Sequence, residues 1–563
     1  MKLDNYRWRY PEPVPLDIQA ALDTFSKPFQ SILYQRDLTS PDEVMSFLLP
    51  KNPAWASHHT LRHIDRACQI IQNIVDSDQP IGIFGDYDAD GITATALLTL
   101  ALRKIHAPIL PMIPNRLEDG YGLNKKSLDE FSRAGAALVI TVDNGIRAFE
   151  EALYAKQLGI ELIITDHHRP ADKLPEASAV IDPKTPDDPY PNKYLAGVGV
   201  AYKLVCGLAS IYELIDPDEF LDLVAIGTIA DIVPLLGENR YLVKKGLNLI
   251  NSKPRQAIHS LLGTAGLIGK KVTASDISFQ IAPRLNSSGR LESEDSLVPL
   301  QLLLSQDTAS CGSFAQVLEN HNFQRKTLSK ELQESVERQF LEIDPLPPIL
   351  VALNDQVNLG VAGIAAGYLS RKFYLPAIVG KTGDATTTAS CRSIPEFDII
   401  AALENISDLF EQFGGHKLAA GFTLPNANLP AFQAAIIEQA KQHIDPLDLH
   451  PTLEIDAQVT LPDLNQGLYK EISKLEPTGE KNPPPVFCIK GLGIKKTATV
   501  GAGGDHLKLT LSDGTYLINA IGFNFGELAP DLPKKVDVAF HFTENQYRGQ
   551  REFQLQILDL SAC

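Results

Sequence analysis

The chain has 563 residues, 44% hydrophobic and 21% charged, with a formal net charge of −18 at pH 7. That length exceeds what one core supports, so three or four domains are expected in a soluble globular protein. The acidic balance excludes a general duplex-DNA coat protein, which needs bulk positive charge, but not a nuclease, since a metal cluster needs acids and a local basic groove can still steer a polyanion.

The N-terminal MKLDNYRWRYPEPVPLD holds no apolar core of signal-peptide length. The most apolar run, Leu223 to Leu236, is broken by Asp231 and is too short to span a bilayer. Cys68, Cys206, Cys311, Cys391, Cys488 and Cys563 form no CxxC pair, so reduced thiols in a cytoplasmic protein with no membrane contact are expected. Residues 1–55 are polar and proline-containing and read as an extension packed on the next domain. Helical periodicity begins around Leu61–Val75.

The sequence IGIFGDYDADG follows at 81–91. Ile81 to Phe84 read as a short buried strand. Asp86, Asp88 and Asp90 recur at every second position, which in an extended segment puts three carboxylates on one side. After Gly91 the pattern turns helical, with Thr93 as a candidate cap. Carboxylates this close repel one another, and a hard cation relieves them; the competing reading is an acidic surface turn.

Strand and helix then alternate to about residue 240. Ala137–Val142 ends at Asp143, Glu161–Thr165 at Asp166-His167-His168, and Ala179–Ile181 at Asp182, with a helix expected over Ala148–Leu158. Continuous apolar strands between amphipathic helices predict a parallel sheet covered on both faces. Ligands in such sheets bind outside the carboxyl ends of the strands, so these motifs converge in space. Helices are expected at Val198–Leu214 and Glu219–Ile232. Asp231 lies in LVAIGTIADIVPLL and is either a helix-end surface residue or a buried ligand; burying it uncompensated would cost about 3–5 kcal/mol, and a metal would offset that.

IAPRLNSSGR (281–290) places Arg284 and Arg290 in a small-residue polar loop. Asp307 to Asp344 reads as one long connecting helix with a narrow apolar stripe, stopped by Pro345. Residues 349–445 form a second alternating unit whose FGGHKLAAGF (413–422) sets His416 and Lys417 among small residues, either to contact a phosphate or as a tight turn with an exposed lysine. Period-two alternation over 450–563 predicts five or six short antiparallel strands, an OB-fold barrel. Phe523, Phe525, Phe540, Phe542 and Tyr547 are its stacking candidates, with Lys495, Lys496, Lys508 and Arg548 nearby; several of the aromatics must be core. The barrel segment is not net basic, with 11 lysines and arginines against 14 acids over 451–563. Neither GxGxxG after the first strand nor GxxxxGK[ST] is present, so a dinucleotide cofactor and ATP-driven unwinding have no support.

Asp86, Asp88, Asp90, Asp143, Asp166, His167, His168 and Asp231 form a mixed carboxylate and imidazole set suited to Mn²⁺ or Mg²⁺, and less to Zn²⁺. Two such ions about 3.5–4 Å apart clamp attacking and leaving oxygens in phosphoester or phosphoanhydride hydrolysis. Adjacent histidines cannot point the same way from a strand end, so one can ligate while the other contacts a phosphate.

GDYDADG, TVDNGI, TDHH and GTIADIVPL, in this order, resemble the four motifs of the DHH phosphoesterase superfamily. APRLNSSGR, ASCRSI, FGGHKLAAGF and LEPTGEKNPPPVF resemble further signatures of its RecJ family, the single-strand-specific 5′→3′ DNA exonucleases. The resemblance runs from about residue 60 to the C-terminus. It implies an α/β, parallel-sheet DHH catalytic domain (56–306), a connecting helix (307–344), a second α/β DHH-associated domain (345–447) and a C-terminal all-β OB-fold barrel (448–563). It implies two divalent cations: Asp88 and Asp143 on one, and Asp90, Asp143, His167 and Asp231 on the other. His168 would contact the substrate phosphate. Arg116, Arg284, Arg290, Ser390 and Arg392 match phosphate-binding positions, the last two near the 5′ end. Implied partners are single-stranded DNA with a 5′ end, a single-strand-binding protein and a helicase, with the chain a monomer. Phe84 stands where many relatives carry a histidine, so either the first ion is held more weakly or Asp86 helps hold it. Thr478 and Lys481 replace the usual Phe and Gly of LEPFGxGNPxPxF.

Two rivals share the motifs: a DHH enzyme for short oligonucleotides or cyclic dinucleotides, which the barrel and the length argue against, and a non-catalytic replication scaffold, which would have lost its ligands. Digestion of long strands beside a dinucleotide separates the first, and metal titration the second.

Overall fold

The structure is a computed structural model that describes residues 3, 5–53, 56–114, 122–290, 296–444, 449–501, 503–547 and 550–563, with backbone alone at 546, 547 and 550. Arg116, Arg548 and the Tyr547 side chain lie outside the described residues. No helix among the described residues is long and apolar enough to cross a membrane.

The first sheet is parallel throughout, in the spatial order Ile109–Met112, Ile81–Phe84, Leu138–Val142, Glu161–Thr165, Ala179–Ile181. Alternate residues feed two helix layers. Ile81, Ile83, Leu138, Ile140 and Val142 pack with Ala89–Arg103 and Gly197–Ala209, while Phe84, Val139, Leu162 and Ile164 pack with Lys125–Arg133 and Phe149–Gln157. A strand buried on both faces is apolar at nearly every position, which is why these strands read as near-continuous hydrophobic runs. The chain leaves the first strand to one side and returns on the other, so the crevice between Phe84 and Val142 is the topological switch point.

The connector is a helix over Thr308–Arg338, capped by the Asp307 carboxylate accepting from the Ser310 N–H at 2.8 Å. It ends earlier than the periodicity suggests. A turn after Arg338 carries Phe340 into the apolar core of the second α/β unit, where it joins Val336, whereas Cys311, Ala315 and Leu318 belong to the core of the first unit. One helix is thus embedded at its two ends in different cores.

The second unit's sheet runs Gln412–His416, Ala419–Pro425, Thr386–Arg392, Ala377–Thr382, Leu350–Asn354, with only the last two strands parallel. FGGHKLAAGF is a β-hairpin, with His416 and Lys417 exposed at its turn.

The C-terminal strands Phe487–Val500, His506–Ser512, Leu517–Gly522, Gln550–Ala562 and Lys535–Tyr547 pair in that order, and the last closes on the first. This is a closed five-stranded barrel with one parallel pairing, the OB-fold, so the expectation of purely antiparallel strands is corrected in that detail. Phe525, Phe540 and Phe542 are barrel core, while Phe523 is half exposed.

The N-terminal extension is also corrected. Leu22, Phe29, Ile32, Leu33, Val44 and Leu48 share one apolar core with Leu507, Val538, Phe540 and Leu555 of the barrel. The extension's described contacts with the catalytic unit include Lys244 Nζ donating to the Leu48 carbonyl at 2.5 Å and the Arg240 guanidinium lying 4.1 Å over the Phe47 ring. The barrel is fixed to that unit by the buried Arg240, whose guanidinium donates to the carbonyls of Phe47, Lys474, Leu475, Glu476 and Pro477 at 2.8–3.2 Å. The LEPTGEKN segment is therefore a bracket. Asn482 donates to the carbonyls of Leu475 and Pro477, and Lys481 takes a φ of +59° where glycine would be at ease.

Candidate metal centre

The acidic run is gathered differently from the extended segment the spacing predicts. The strand ends at Phe84 and a helix begins at Ala89, so Asp86 sits in the turn, Asp88 is the N-cap and Asp90 lies in the first helical turn. Asp88, not Thr93, caps: its Oδ1 accepts from the N–H groups of Asp90 and Gly91 at 2.9 and 3.1 Å. Thr93 is already inside the helix, its hydroxyl donating to the Ala89 carbonyl at 2.8 Å. Phe84 is fully buried in the helix layer and offers no ligand.

Asp143 follows its strand with φ +63°, a left-handed conformation costing an aspartate about 1–3 kcal/mol. The strain turns its carboxylate into the crevice. A Cβ on Gly197 would lie 2.5 Å from Asp143 Oδ1, and one on Gly227 would lie 2.7 Å from Asp90 Oδ1. These two glycines let helices close over the acids, and the sequence reading missed them; GVGV at 197–200, opening a helix beside the acids, was the available signal. The same helix start serves Asp90, which accepts from the Gly197 and Val198 N–H groups at 2.6 and 2.9 Å.

Three ligand sets have donor atoms within 4.8 Å of one another. Asp86, Asp88 and Asp143 form one. Asp90, His167 and Asp231 form a second with no residue in common. Asp143, His167 and His168 form the third and join the other two. His167 Nε2 lies 3.0 Å from Asp143 Oδ1, 3.6 Å from Asp231 and 3.9 Å from Asp90. Asp166 has another job: it accepts from the His167, His168 and Ile146 N–H groups and pairs with His168 Nδ1 at 2.8 Å, so it orients the histidines.

Electrostatically this set is incomplete by itself. Asp143 Oδ1 and His167 Nε2 are buried without a hydrogen-bond partner. Burial, then repulsion from neighbouring carboxylates, raises Asp90 and Asp143 well above the usual carboxylate range. Burial and Asp88 push Asp231 up to about 7. Burial, with His168 beside it, lowers His167 to about 3, so it is neutral and suited to ligation. For His168 burial acts downward, but the Asp166 bond outweighs it and raises the imidazole to about 9. An unsatisfied buried carboxylate and a neutral imidazole aimed at each other among raised acids fit hard divalent cations, two of them given the two disjoint sets.

The cationic residues divide. Arg290 donates to the Gly360 carbonyl at 3.2 Å, at the start of the helix Leu359–Phe373. A Cβ on Gly363 of that helix would lie 3.1 Å from the Arg392 guanidinium and 3.6 Å from Ser390 Oγ. Arg290, Ser390 and Arg392 are thus gathered around the first turns of one helix. His416 and His168 line opposite sides of a cavity of about 600 Å³ between the two α/β units. Lys417 does not line it. Arg284 is a correction: its side chain is 7% exposed, paired to Glu319 at 2.5 Å and donating to the Gln280 and Thr264 carbonyls. Its charge and donors are committed inside the helix layer, so it is not presented to a phosphate.

Sequence models of three families match the chain: "DHH family, N-terminal domain" over residues 80–228, "DHHA1 domain" over 347–442 and "RecJ OB domain" over 455–559. The chain is 35% identical over 537 residues to the single-stranded-DNA-specific exonuclease RecJ of Bacillus subtilis, covering 94% of this chain and 67% of that one. RecJ of Thermus thermophilus crystallised with Mn²⁺ matches at a TM-score of 0.85 and 30% identity, covering 100% of this chain and 80% of that one. The Mg²⁺ complex of the same protein matches at 0.79 and 29%, covering 100% and 79%.

Proposed function

The chain belongs to the RecJ family of single-stranded-DNA-specific exonucleases, and from that premise we propose that it degrades single-stranded DNA from the 5′ end to 5′-mononucleotides, using two divalent cations, Mn²⁺ or Mg²⁺, in DNA recombination and repair. The observation that carries the reading is the pair of disjoint ligand sets at the switch point, joined by the unpartnered Asp143 and His167.

Asp86, Asp88 and Asp143 would hold one cation, and Asp90, His167, Asp231 and the bridging Asp143 the other. The pair supplies an activated water and charge stabilisation at the phosphoryl oxygens. The chain's own groups do the rest. Asp166 holds His168 as an imidazolium beside the ligands, a fixed positive charge for the scissile phosphate. Arg392, Ser390 and Arg290 bind the 5′ phosphate, where a guanidinium fork and a helix N-terminus favour an anion. His416 faces the same cavity from the second unit. The barrel holds the strand behind the cut through exposed lysines and the exposed Phe523. The reading places the enzyme in the cytoplasm as a monomer, fed by a helicase and meeting single-strand-binding protein on its substrate.

End-labelled strands in Mn²⁺ or Mg²⁺ test this. Mononucleotide should appear from the 5′ label at once and from the 3′ label only late. Early release of the 3′ label overturns the polarity; cleavage confined to dinucleotides overturns the substrate.

A further inference from the structure

Two of the most exposed large apolar side chains in the protein share one groove. Phe279 is 77% exposed and Ile232 67% exposed, and both line a cavity of about 280 Å³ with Ile229, Val233, Leu235 and Pro484. Neither position is a surface accident. Ile232 has φ +57°, which a β-branched residue adopts only when its surroundings force it. It directly follows Asp231, a ligand of the candidate centre. Phe279 lies in a π-helical stretch, Ile277–Ile281, whose neighbours Ile277 and Ile281 are fully buried. The extra residue in that turn leaves the ring facing outward, and π-bulges of this kind concentrate at functional sites.

The groove has two walls from different units. Ile229 to Leu235 and Phe279 come from the catalytic unit, and Thr478 to Glu480 and Pro484 from the bracket that holds the barrel. The walls are fixed relative to each other. The Leu235 N–H donates to the Glu480 carbonyl at 2.9 Å, and a Cβ on Gly479 would lie 2.8 Å from Leu235 Cδ1. The groove thus lies between the segment that holds the barrel and the segment that carries Asp231.

We infer that the Phe279–Ile232 groove is a base-stacking step on the path of the substrate strand, with Phe279 stacking on an unpaired base and Ile232 closing the other side. This rests on the single-strand exonuclease reading. The two walls select the occupant, one holding the residue after Asp231 and the other belonging to the barrel bracket: an exposed aromatic face between them accepts a base face, which single strands offer and duplexes hide. The slot adds specificity for unpaired strands immediately before the cut, where the barrel alone is too far back to enforce it.

The test measures binding of the full chain, in chelator, to 5′-phosphorylated oligonucleotides carrying one abasic site at successive positions. The wild type should lose about tenfold in affinity at one position when the base is missing. Phe279→Ala should bind the intact strand about tenfold more weakly and be indifferent to the abasic site at that position alone. Phe279→Trp should restore both the affinity and the positional sensitivity. Equal affinity of Phe279→Ala and wild type overturns the proposal and returns the groove to protein docking. A loss by Phe279→Ala of equal size at every abasic position also overturns it, as an indirect structural effect. Wild type that neither binds nor degrades single strands would instead overturn the exonuclease reading, leaving the two failures distinct.

Discussion

The two α/β units handle charge in opposite ways. In the first, all five strands are parallel and their carboxyl ends empty aspartates and a histidine into one buried crevice. In the second, the chain turns antiparallel after two strands, and its proposed phosphate-binding side chains Ser390, Arg392 and His416 lie along strands and a hairpin in contact with solvent. The buried acids are under tension until a cation joins them; the cations of the second unit are already solvated or bonded. The difference separates a unit whose buried acids await a cation from a unit proposed to take a phosphate as folded. Charge, stability and pH response should therefore split along the same line.

The sharpest test of that division is Asp143. Asp143→Asn removes the carboxylate proposed to serve both metal positions, so hydrolysis should fall by more than about 100-fold, the upper loss for an outer-shell partner alone. In chelator the same variant should melt above the wild type, because it removes a buried carboxyl whose ionisation burial and then Asp90, Asp88, Asp86 and Asp231 oppose. Lower melting in chelator would mean that Asp143 is structurally compensated without metal.

The pH dependence follows next. Asp231 is raised to about 7 and His168 to about 9, so the folded metal-free protein holds more protons than the unfolded chain as pH rises above 6.5. Stability in chelator should then fall from pH 6.5 to 8.5. His167, lowered to about 3, acts oppositely only below 6.5 and drops out of this window. Saturating Mn²⁺ should reverse the trend, since ligation needs deprotonated carboxylates. Melting curves with and without chelator across that range check both signs.

How much of this was legible follows from where each constraint lies. The strands 81–84, 161–165 and 179–181 were readable because burial on both faces leaves an apolar run, with polar residues only at the two ends of 161–165. The convergence of Asp90, Asp143 and His167 was readable because parallel sheets bring strand ends together, whereas Asp231 arrives from the C-terminal end of the helix Leu221–Ala230. The route was misread at Asp86 to Asp90, where a turn and a helix cap replace the extended segment: three acids at period two also satisfy an N-cap. Arg284 was misplaced because only its partner Glu319, on a distant helix, decides whether an arginine faces a phosphate or the interior. Residues 1–55 were assigned to the wrong neighbour because an amphipathic segment states that it has an apolar side, not which core receives it. Arg240 left no signal, since its five acceptors are backbone carbonyls, which every sequence contains.

In the second unit the corresponding test is smaller. Arg392→Ala should reduce the preference for 5′-phosphorylated over 5′-hydroxyl strands by about tenfold, the worth of a charge-assisted hydrogen bond near 1.5 kcal/mol. Metal-free melting should not change with the variant's activity, because Arg392 takes no part in the buried acid cluster. Competition binding with the two oligonucleotides measures it, and equal loss for both would remove Arg392 from the 5′ site.

The smallest expected effect comes from the barrel and tests whether its cations track a backbone. Consecutive residues of a strand point to opposite faces, so two adjacent lysines would normally send one toward the core. Here Ile494 pairs with Leu511 and Lys496 with Thr510, leaving Lys495 as the extra residue of a bulge, and both lysines are exposed. The barrel segment has more acids than bases, so any phosphate contact must come from such local placement. Each phosphate neutralised on a single strand contributes about 0.7 to the slope of log affinity against log salt. Lys495→Gln with Lys496→Gln should therefore flatten the slope by about 1.4 while barely changing affinity at high salt, where released counterions no longer drive binding. A slope unchanged between 50 and 300 mM salt, roughly the range over which such contacts fade, would leave these lysines facing water alone and place the strand on another face of the barrel.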